Sequence, residues 1–379
     1  MAFFLTDEQR AIRDMAKKFS VDEMLPHAAE WDEKKIFPRD VLRKAAGLGF
    51  AAIYVSPDHG GVGLSRLDAA LIMEQLAYGC PSTAAFISIH NMCAWMIDAF
   101  GSQQQRKKYL PKLATMELIA SYCLTESSSG SDAAALTTRA KKDNGNYLMN
   151  GSKAFVSGGG ESDIYLVMCR TGGDGPKGIS CMIVEKGMKG LSFGARERKM
   201  GWNSQPTTAV NFDDCRVPVE NRLGDEGIGF KIAMQGLDGG RLNIGACSLG
   251  GAQFAFDTAL AYVKERKQFG KRIADFQVTR FKLADMATEL EAARLLLYAA
   301  AVKVEEGAHD ATMAAAMAKR FATDIGFRVT NEALQLHGGY GYFKDYPIER
   351  ILRDLRVHQI LEGTNEIMRV VISKHLLKD

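Results

Sequence analysis

The chain has 379 residues, of which 46% are hydrophobic and 25% charged, and its net charge is +3. These values are ordinary for a globular protein and exclude a disordered, collagen-like or disulfide-scaffold chain. At about 150 residues per domain the length predicts roughly two or three domains, and so small a net charge argues against a dedicated nucleic-acid binder.

Residues 1–117 are predicted to be helical. Thr6 and Gln9 have the spacing of a capping box at the start of a first helix. Pro38 is suited to open another helix, and Gly47 to close it. No residue in these predicted helices has a partner that suggests chemistry.

Residues 118–224 change to short β-rich runs that are cut by turn residues. Apolar runs flank Asn150-Gly151, which predicts a hairpin with its turn at that pair. Further strands are predicted at 164–169, 179–184 and 208–212. Strands without intervening helices predict a small antiparallel barrel or sandwich.

Residues 225–379 return to helical periodicity, with large apolar residues every seven positions from Leu242 to Val263. The next predicted helix carries apolar residues spaced 3-4-3-4 from Leu283 to Val304, which is the pattern of a bundle seam. The predicted class is therefore α+β, mostly α: an N-terminal helical domain, a middle antiparallel β domain and a C-terminal four-helix bundle.

The seven cysteines are scattered, and no two are within three residues of each other, so neither a CxxC redox motif nor a zinc motif is present. Such a set predicts free buried thiols in a reducing compartment. The N-terminus lacks a basic segment followed by an apolar core, so no secretory leader is expected. The longest charge-free stretch, 75–97, contains Gly79, Pro81 and His90 and predicts buried helices, not a membrane span.

Several common functional motifs are absent from the sequence. It has no GxxxxGK[ST] phosphate loop, no GxGxxG, no HExxH and no GxSxG. These absences argue against a Walker-type nucleotide site and a Rossmann nicotinamide site, and no metal site is expected.

Four polar segments remain at the ends of predicted elements, where loops can meet a ligand. They read YCLTESSSGSD at 122–132, ERKQFG at 265–270, LHGGYG at 336–341 and ILEGTNE at 360–366. In this order, and over essentially the whole chain, they resemble the acyl-CoA dehydrogenase flavoprotein family. The segments 197–206, 239–241 and 356–363 resemble the branch that acts on isobutyryl-CoA in valine degradation.

The resemblance implies FAD-dependent α,β-dehydrogenation of a short branched acyl-CoA, in a homotetramer that passes electrons to an electron-transferring flavoprotein. Oxidation of 2-methylbutyryl-CoA or butyryl-CoA stays open, as does an oxidase-like relative that reduces oxygen. A DNA-binding flavoprotein and an enzyme-dead scaffold are alternatives of another class. The expected compartment is the bacterial cytoplasm, or the mitochondrial matrix after removal of a presequence.

The resemblance assigns Glu362 as the base that removes the α-proton, and gives its backbone N–H a role at the enolate oxygen. Some relatives instead carry a base before the arginine of the helix that is entered near 241, where this chain has Gly240. This departure favours Glu362 and leaves room for a branched α-carbon.

The resemblance also implies a set of contacts to FAD, with Arg266, Phe269 and Gln277 reaching the FAD of a neighbouring subunit. The predicted cofactor-binding residues are Tyr122, Leu124, Thr125, Ser131, Phe155, Ser157, Arg266, Phe269, Phe276, Gln277, Gln335, Gly338, Gly339, Thr364, Asn365 and Glu366.

For the thioester, the predicted substrate contacts are Ser131, Asp238, Arg241, Gly363 and Lys374. Lys374 replaces an arginine of the isobutyryl enzymes, keeping the charge but losing the planar fork. Ser127 stands where the family usually has proline, and this departure loosens the loop.

Overall fold

The computed structural model describes residues 5–378. Its N-terminal part is helical, as predicted, and the capping box of Thr6 and Gln9 is present. The helices are α1 (Asp7–Phe19), α2 (Ala28–Lys34), α3 (Arg39–Gly47), α4 (Arg66–Gly79), α5 (Pro81–Phe100) and α6 (Gln103–Ala114).

The middle part is one sheet of eight strands in the order β6-β7-β3-β2-β4-β5-β8, with β1 paired to β4. Most pairings are antiparallel, but β1 and β2 each pair with β4 in parallel. The strands are β1 (Ala120–Cys123), β2 (Arg139–Asp143), β3 (Asn146–Ser157), β4 (Ile164–Arg170), β5 (Ile179–Glu185), β6 (Leu191–Phe193), β7 (Thr207–Pro218) and β8 (Arg222–Leu223).

The hairpin predicted at Asn150-Gly151 is wrong. Strand β3 runs unbroken through this pair, which forms a bulge against β7 between Met149 and Gly151. The turn is made instead by Asn144 and Gly145, both with positive φ, between β2 and β3. Two Asn-Gly pairs compete here, and the tertiary pairing of β3 with β7 decides which of them bulges.

The C-terminal part is a helical bundle built around α7, a single helix of 37 residues. A short hairpin of β9 and β10 joins it to α8. The elements are α7 (Gly229–Glu265), β9 (Lys267–Gln268), β10 (Lys271–Arg272), α8 (Gln277–Glu305), α9 (Ala311–His337), α10 (Ile348–Arg356) and α11 (Asn365–Leu376).

The hydrophobic core joins these parts. One buried cluster contains Leu71 of α4 together with Leu242 of α7 and Leu297 of α8, so the N-terminal and C-terminal helices share a core. Strand β4 alternates between two other clusters: Leu166 packs toward the helices and Val167 toward the opposite face of the sheet. This period of two explains why its apolar run is continuous.

All seven cysteines are free and buried, as predicted. Within residues 5–378 no helix combines the length and the apolarity that a membrane crossing requires. The same residues contain no group of three or more His, Cys, Asp or Glu side chains arranged to hold a metal ion.

Candidate active site

Glu362 lies in the loop between α10 and α11, at a point where the backbone turns sharply. Glu362 and Gly363 have φ angles of 54° and 85°. A left-handed backbone is uncommon for a residue with a side chain and is typical of functional loops. The residue is half-buried, while its carboxylate oxygen Oε2 is inaccessible and has no hydrogen-bond partner.

The electrostatic surroundings of this carboxylate suit a base. Burial raises the pKa of Glu362 to about 7, and the positive charges of Lys319 and Arg241 limit the rise. The side chain is therefore close to its midpoint of ionisation near neutral pH, where a general base works best.

The carboxylate of Glu362 rests against a glycine of α7. A Cβ atom built on Gly240 would lie 2.5 Å from Oε2 of Glu362. The absence of a side chain at position 240 therefore makes the space in which the carboxylate lies.

Two cations hold the loop around the base. Nζ of Lys319, a fully buried residue of α9, donates to the Gly363 carbonyl at 2.8 Å and to Oδ1 of Asn365 at 2.9 Å. Nε of Arg241 donates to the Glu362 carbonyl at 3.4 Å, and its Nη1 donates to Asp238 at 2.6 Å. The backbone N–H of Glu362 makes no hydrogen bond within the part of the chain that the structure describes, so it remains available as a donor beside the base.

We expect Lys319→Met to move the acidic limb of the pH profile of kcat/KM upward by at least about half a pH unit. Glu362 must be ionised to act, and the charge of Lys319 lowers its pKa, so removing that charge raises the pH at which activity appears. The control is Arg328→Met, which removes an exposed cation on the same helix. An unmoved limb in Lys319→Met would show that Lys319 only holds the backbone.

A buried histidine anchors the segment before Glu362. His358 accepts a hydrogen bond from Nε1 of Trp202 at its Nε2, with a distance of 3.2 Å. Its ring proton must therefore lie on Nδ1, which is 2.7 Å from Oγ of Ser248. Burial lowers the pKa of His358 to about 3, so this link between the β domain and the loop stays neutral in the working pH range.

The predicted FAD residues Tyr122, Leu124 and Thr125 lie at and just after the end of β1. The loop that follows is held by the buried ion pair of Glu126 with Lys153, 2.7 Å long. Burial alone would raise the pKa of Glu126, but its hydrogen bonds from Lys153 and the Thr137–Thr138 backbone lower it to about 2. This pair fixes the loop despite the serine at 127.

Phe155 and Ser157 lie at the end of β3, beside the same loop, since the Ala154 N–H donates to the Thr125 carbonyl. Phe155 has a φ of 56° and is 67% exposed. A register shift between Lys153 and Val156 turns its ring out of the sheet.

A second group of predicted FAD residues lies far from Glu362. Gly240 and Glu265 are separated by 25 residues of α7, or about 37 Å along the helix. Arg266 and Phe269 follow that end, and the exposed Phe269 ring packs on Phe276 alone among the described aromatic side chains. Within one chain these residues and Glu362 do not meet, which agrees with a role at a neighbouring subunit.

The remaining predicted cofactor and substrate residues lie in three places: the end of α9, the start of α11, and exposed positions elsewhere. Gln335, Gly338 and Gly339 lie at the end of α9, where a Cβ on either glycine would meet no atom within 4 Å. Thr364 caps α11 by accepting from the Ile367 N–H, and it precedes the buried Asn365 and the exposed Glu366. Ser131, Gln277 and Lys374 are exposed, and among residues 5–378 none of the three has a hydrogen bond or ion pair with Glu362.

Comparison with known proteins decides the family. The chain matches the N-terminal, middle and C-terminal domains of acyl-CoA dehydrogenases over residues 6–117, 121–215 and 227–377. The chain belongs to the acyl-CoA dehydrogenase family. It is thus an FAD-dependent oxidoreductase that acts on an acyl-CoA.

This acyl-CoA dehydrogenase is 58% identical to the mitochondrial isobutyryl-CoA dehydrogenase of Bos taurus, over 99% of this chain and 90% of that protein. Two of the similar solved structures are matched over the full length of both chains. Butyryl-CoA dehydrogenase of Megasphaera elsdenii has a TM-score of 0.96 at 41% identity. A structure described as the electron transferring flavoprotein of Acidaminococcus fermentans has a TM-score of 0.97 at 44% identity.

The residues of this acyl-CoA dehydrogenase fit the flavin that its family uses. The buried hydroxyl of Tyr122 has no hydrogen-bond partner, as expected beside a polar ligand. Phe155 presents an exposed ring, and the open backbone at Gly338 and Gly339 leaves room for a close approach.

Several residues that shape the site are not predicted by the sequence. Lys319 lies within the long helix α9 and belongs to no motif, and Glu126 and Lys153 are 27 residues apart in the chain. Arg66 and Tyr54 also lie near Glu362. A buried lysine or arginine looks like a surface residue in the sequence, because its burial depends on distant segments.

Proposed function

We propose that this acyl-CoA dehydrogenase converts isobutyryl-CoA to methacrylyl-CoA, the α,β-dehydrogenation of valine degradation, with Glu362 as the base. The observation that carries the assignment of the base is the unpaired carboxylate of Glu362 in its pocket against Gly240. The identity to the bovine isobutyryl-CoA dehydrogenase supports the substrate.

In the proposed reaction an oxygen of Glu362 takes the α-proton and becomes a neutral carboxylic acid. The buried setting strips water from the carboxylate, which raises its basicity for a weakly acidic C–H bond. The proton transfer leaves negative charge on the thioester oxygen, and the free backbone N–H of Glu362 is the donor that this chain offers it. FAD, when bound, supplies the acceptor for the hydride that leaves the β-carbon.

The other residues position the reactants in this proposal. Lys319 and Arg241 fix the two carbonyls at and after the base, and Asp238 orients Arg241. We assign the coenzyme A arm to the side of α7 that carries Asp238 and Arg241, with Ser131, Gly363 and Lys374 as further contacts. Tyr122, Thr125, Phe155 and Ser157 are the proposed contacts to the flavin ring.

We also propose that the protein is a homotetramer that passes its electrons to an electron-transferring flavoprotein. The exposed Arg266 and Phe269, which follow the end of α7 remote from Glu362, and the exposed Gln277 at the start of α8 support a site completed by a second copy. The acceptor is supported by the family, and by the finding that a chain with this fold occurs in a structure whose description names an electron transferring flavoprotein.

The substrate is tested by anaerobic bleaching of the bound flavin with isobutyryl-, 2-methylbutyryl-, butyryl- and isovaleryl-CoA in parallel. We expect isobutyryl-CoA to bleach it fastest, because Gly240 leaves width beside the α-carbon. Faster bleaching by butyryl- or 2-methylbutyryl-CoA would establish the alternative substrate, and no bleaching by any would contradict the proposed reaction. Hydrogen peroxide formed in air would identify an oxidase.

A further inference from the structure

Arg66, the first residue of α4, has its guanidinium group inside the protein without an acidic partner. The residue is 8% exposed, and its guanidinium carbon lies 3.9 Å from the ring centroid of Tyr54 and 4.9 Å from that of Trp95. Within residues 5–378 its side chain forms no ion pair, and the Glu305 carboxylate accepts only its backbone N–H. A buried cation is normally paired, so this arrangement calls for an explanation.

The guanidinium lies next to the proposed catalytic base. A Cβ on Gly239 would lie 2.4 Å from Nη1 of Arg66, just as a Cβ on Gly240 would lie 2.5 Å from Oε2 of Glu362. Both side chains therefore rest on consecutive glycines of one turn of α7. Tyr54 lies close to both side chains. Burial raises the pKa of Tyr54, the charge of Arg66 lowers it, and the charge of Glu362 raises it further.

The contacts of Arg66 and Glu362 with this turn of α7 follow a fixed order along the helix. Successive residues of a helix are about 100° apart, so the contacts follow one another as Arg66 on Gly239, the Glu362 carboxylate on Gly240, and the Glu362 carbonyl on Arg241. In this order the Glu362 carboxylate lies between Arg66 and Arg241, and Arg241 in turn pairs with Asp238.

We propose that Arg66 closes the acyl end of the substrate cavity and thereby restricts this enzyme to acyl groups that end shortly beyond the β-carbon. The inference rests on the proposed function, which assigns the coenzyme A arm to the Asp238–Arg241 side. A thioester entering from that side presents its α-carbon to Glu362, and the end of its acyl chain then points toward Arg66.

The physical basis is the cost of burying methylene groups against an unpaired cation. Tyr54 and Trp95 are partly accessible although they lie within the fold, as expected for side chains that line a cavity. Their rings hold the guanidinium by cation–π contact. A longer straight chain must displace the guanidinium from these rings or strip its remaining hydration, whereas a short branched group fills the width beside Gly240 without reaching it.

The test compares kcat/KM for isobutyryl-CoA and hexanoyl-CoA in the flavin-loaded wild type, Arg66→Ala and Arg66→Met. We expect the hexanoyl-to-isobutyryl ratio to rise at least about tenfold in Arg66→Ala, the scale on which pockets discriminate added methylenes. Arg66→Met keeps the length of the side chain but removes its charge, and we expect a rise of at least about threefold. The control, Arg43→Ala, removes an exposed arginine of α3 and should leave the ratio unchanged.

A ratio within twofold of wild type in Arg66→Ala would overturn the proposal. If Arg66→Ala is isolated without flavin, Arg66→Met decides the proposal instead: a hexanoyl-to-isobutyryl ratio within twofold of wild type in that variant would overturn it. The wild-type arm tests the proposed function separately. If wild type oxidises neither thioester, the proposed function fails, whereas oxidation of isobutyryl-CoA with an unchanged ratio in the variants counts against Arg66 alone.

Discussion

We expect Glu362→Gln to lower kcat by at least about a thousandfold while leaving the flavin bound. General bases contribute roughly 10²- to 10⁴-fold, and no other described carboxylate lies against Gly240 to replace this one. The amide keeps the size of the side chain and cannot accept the α-proton. The measurements are steady-state turnover of isobutyryl-CoA and the visible absorbance of the purified flavoprotein.

Glu306→Gln is the matched control, because Glu306 is exposed at the end of α8 and makes no side-chain contact that the structure records. It should retain wild-type turnover. Substantial residual activity in Glu362→Gln with a full complement of flavin would remove Glu362 from the role of base.

Gly240→Glu should reduce turnover of isobutyryl-CoA at least about a hundredfold. The first atom of the new side chain already falls 2.5 Å from Oε2 of Glu362, so the base must move. A second carboxylate would also occupy the space for a branched α-carbon, and two like charges in one pocket raise the pKa of one of them. The acidic limb of the pH profile should therefore move upward together with the loss in rate.

Gly240→Ala separates the effect of space from that of charge. It should give a smaller loss, about tenfold, without the added displacement of the pH profile that a second carboxylate causes. Gly47→Ala is the control, since a Cβ at that helical position meets nothing within 4 Å. Unchanged isobutyryl-CoA turnover in Gly240→Glu would contradict the spatial argument.

The sequence predicted the helical parts well because their signals are local. The capping box of Thr6 and Gln9 and the proline-to-glycine span of α3 are confirmed. The hairpin was predicted wrongly, because Asn144-Gly145 and Asn150-Gly151 offer the same local turn chemistry. Pairing along β7, more than 50 residues later, selects the first as the turn and makes the second a bulge.

The sequence by itself determined the family, because its four polar segments keep their residues and order along nearly the whole chain. It also pointed to Glu362 and to the exceptional glycine at 240, whose identities can be seen without coordinates.

Only the tertiary structure decided how these residues act on one another. The contact of Glu362 with Gly240, the cation of Lys319 behind the loop and the unpaired guanidinium of Arg66 all join segments far apart in the chain. Burial and nearby charges set the pKa of a base, and the side chains that close a cavity set its depth. Both depend on which side chains the packing of α4, α7 and α9 brings together. This packing joins segments that are far apart in the chain, so no local sequence pattern predicts it.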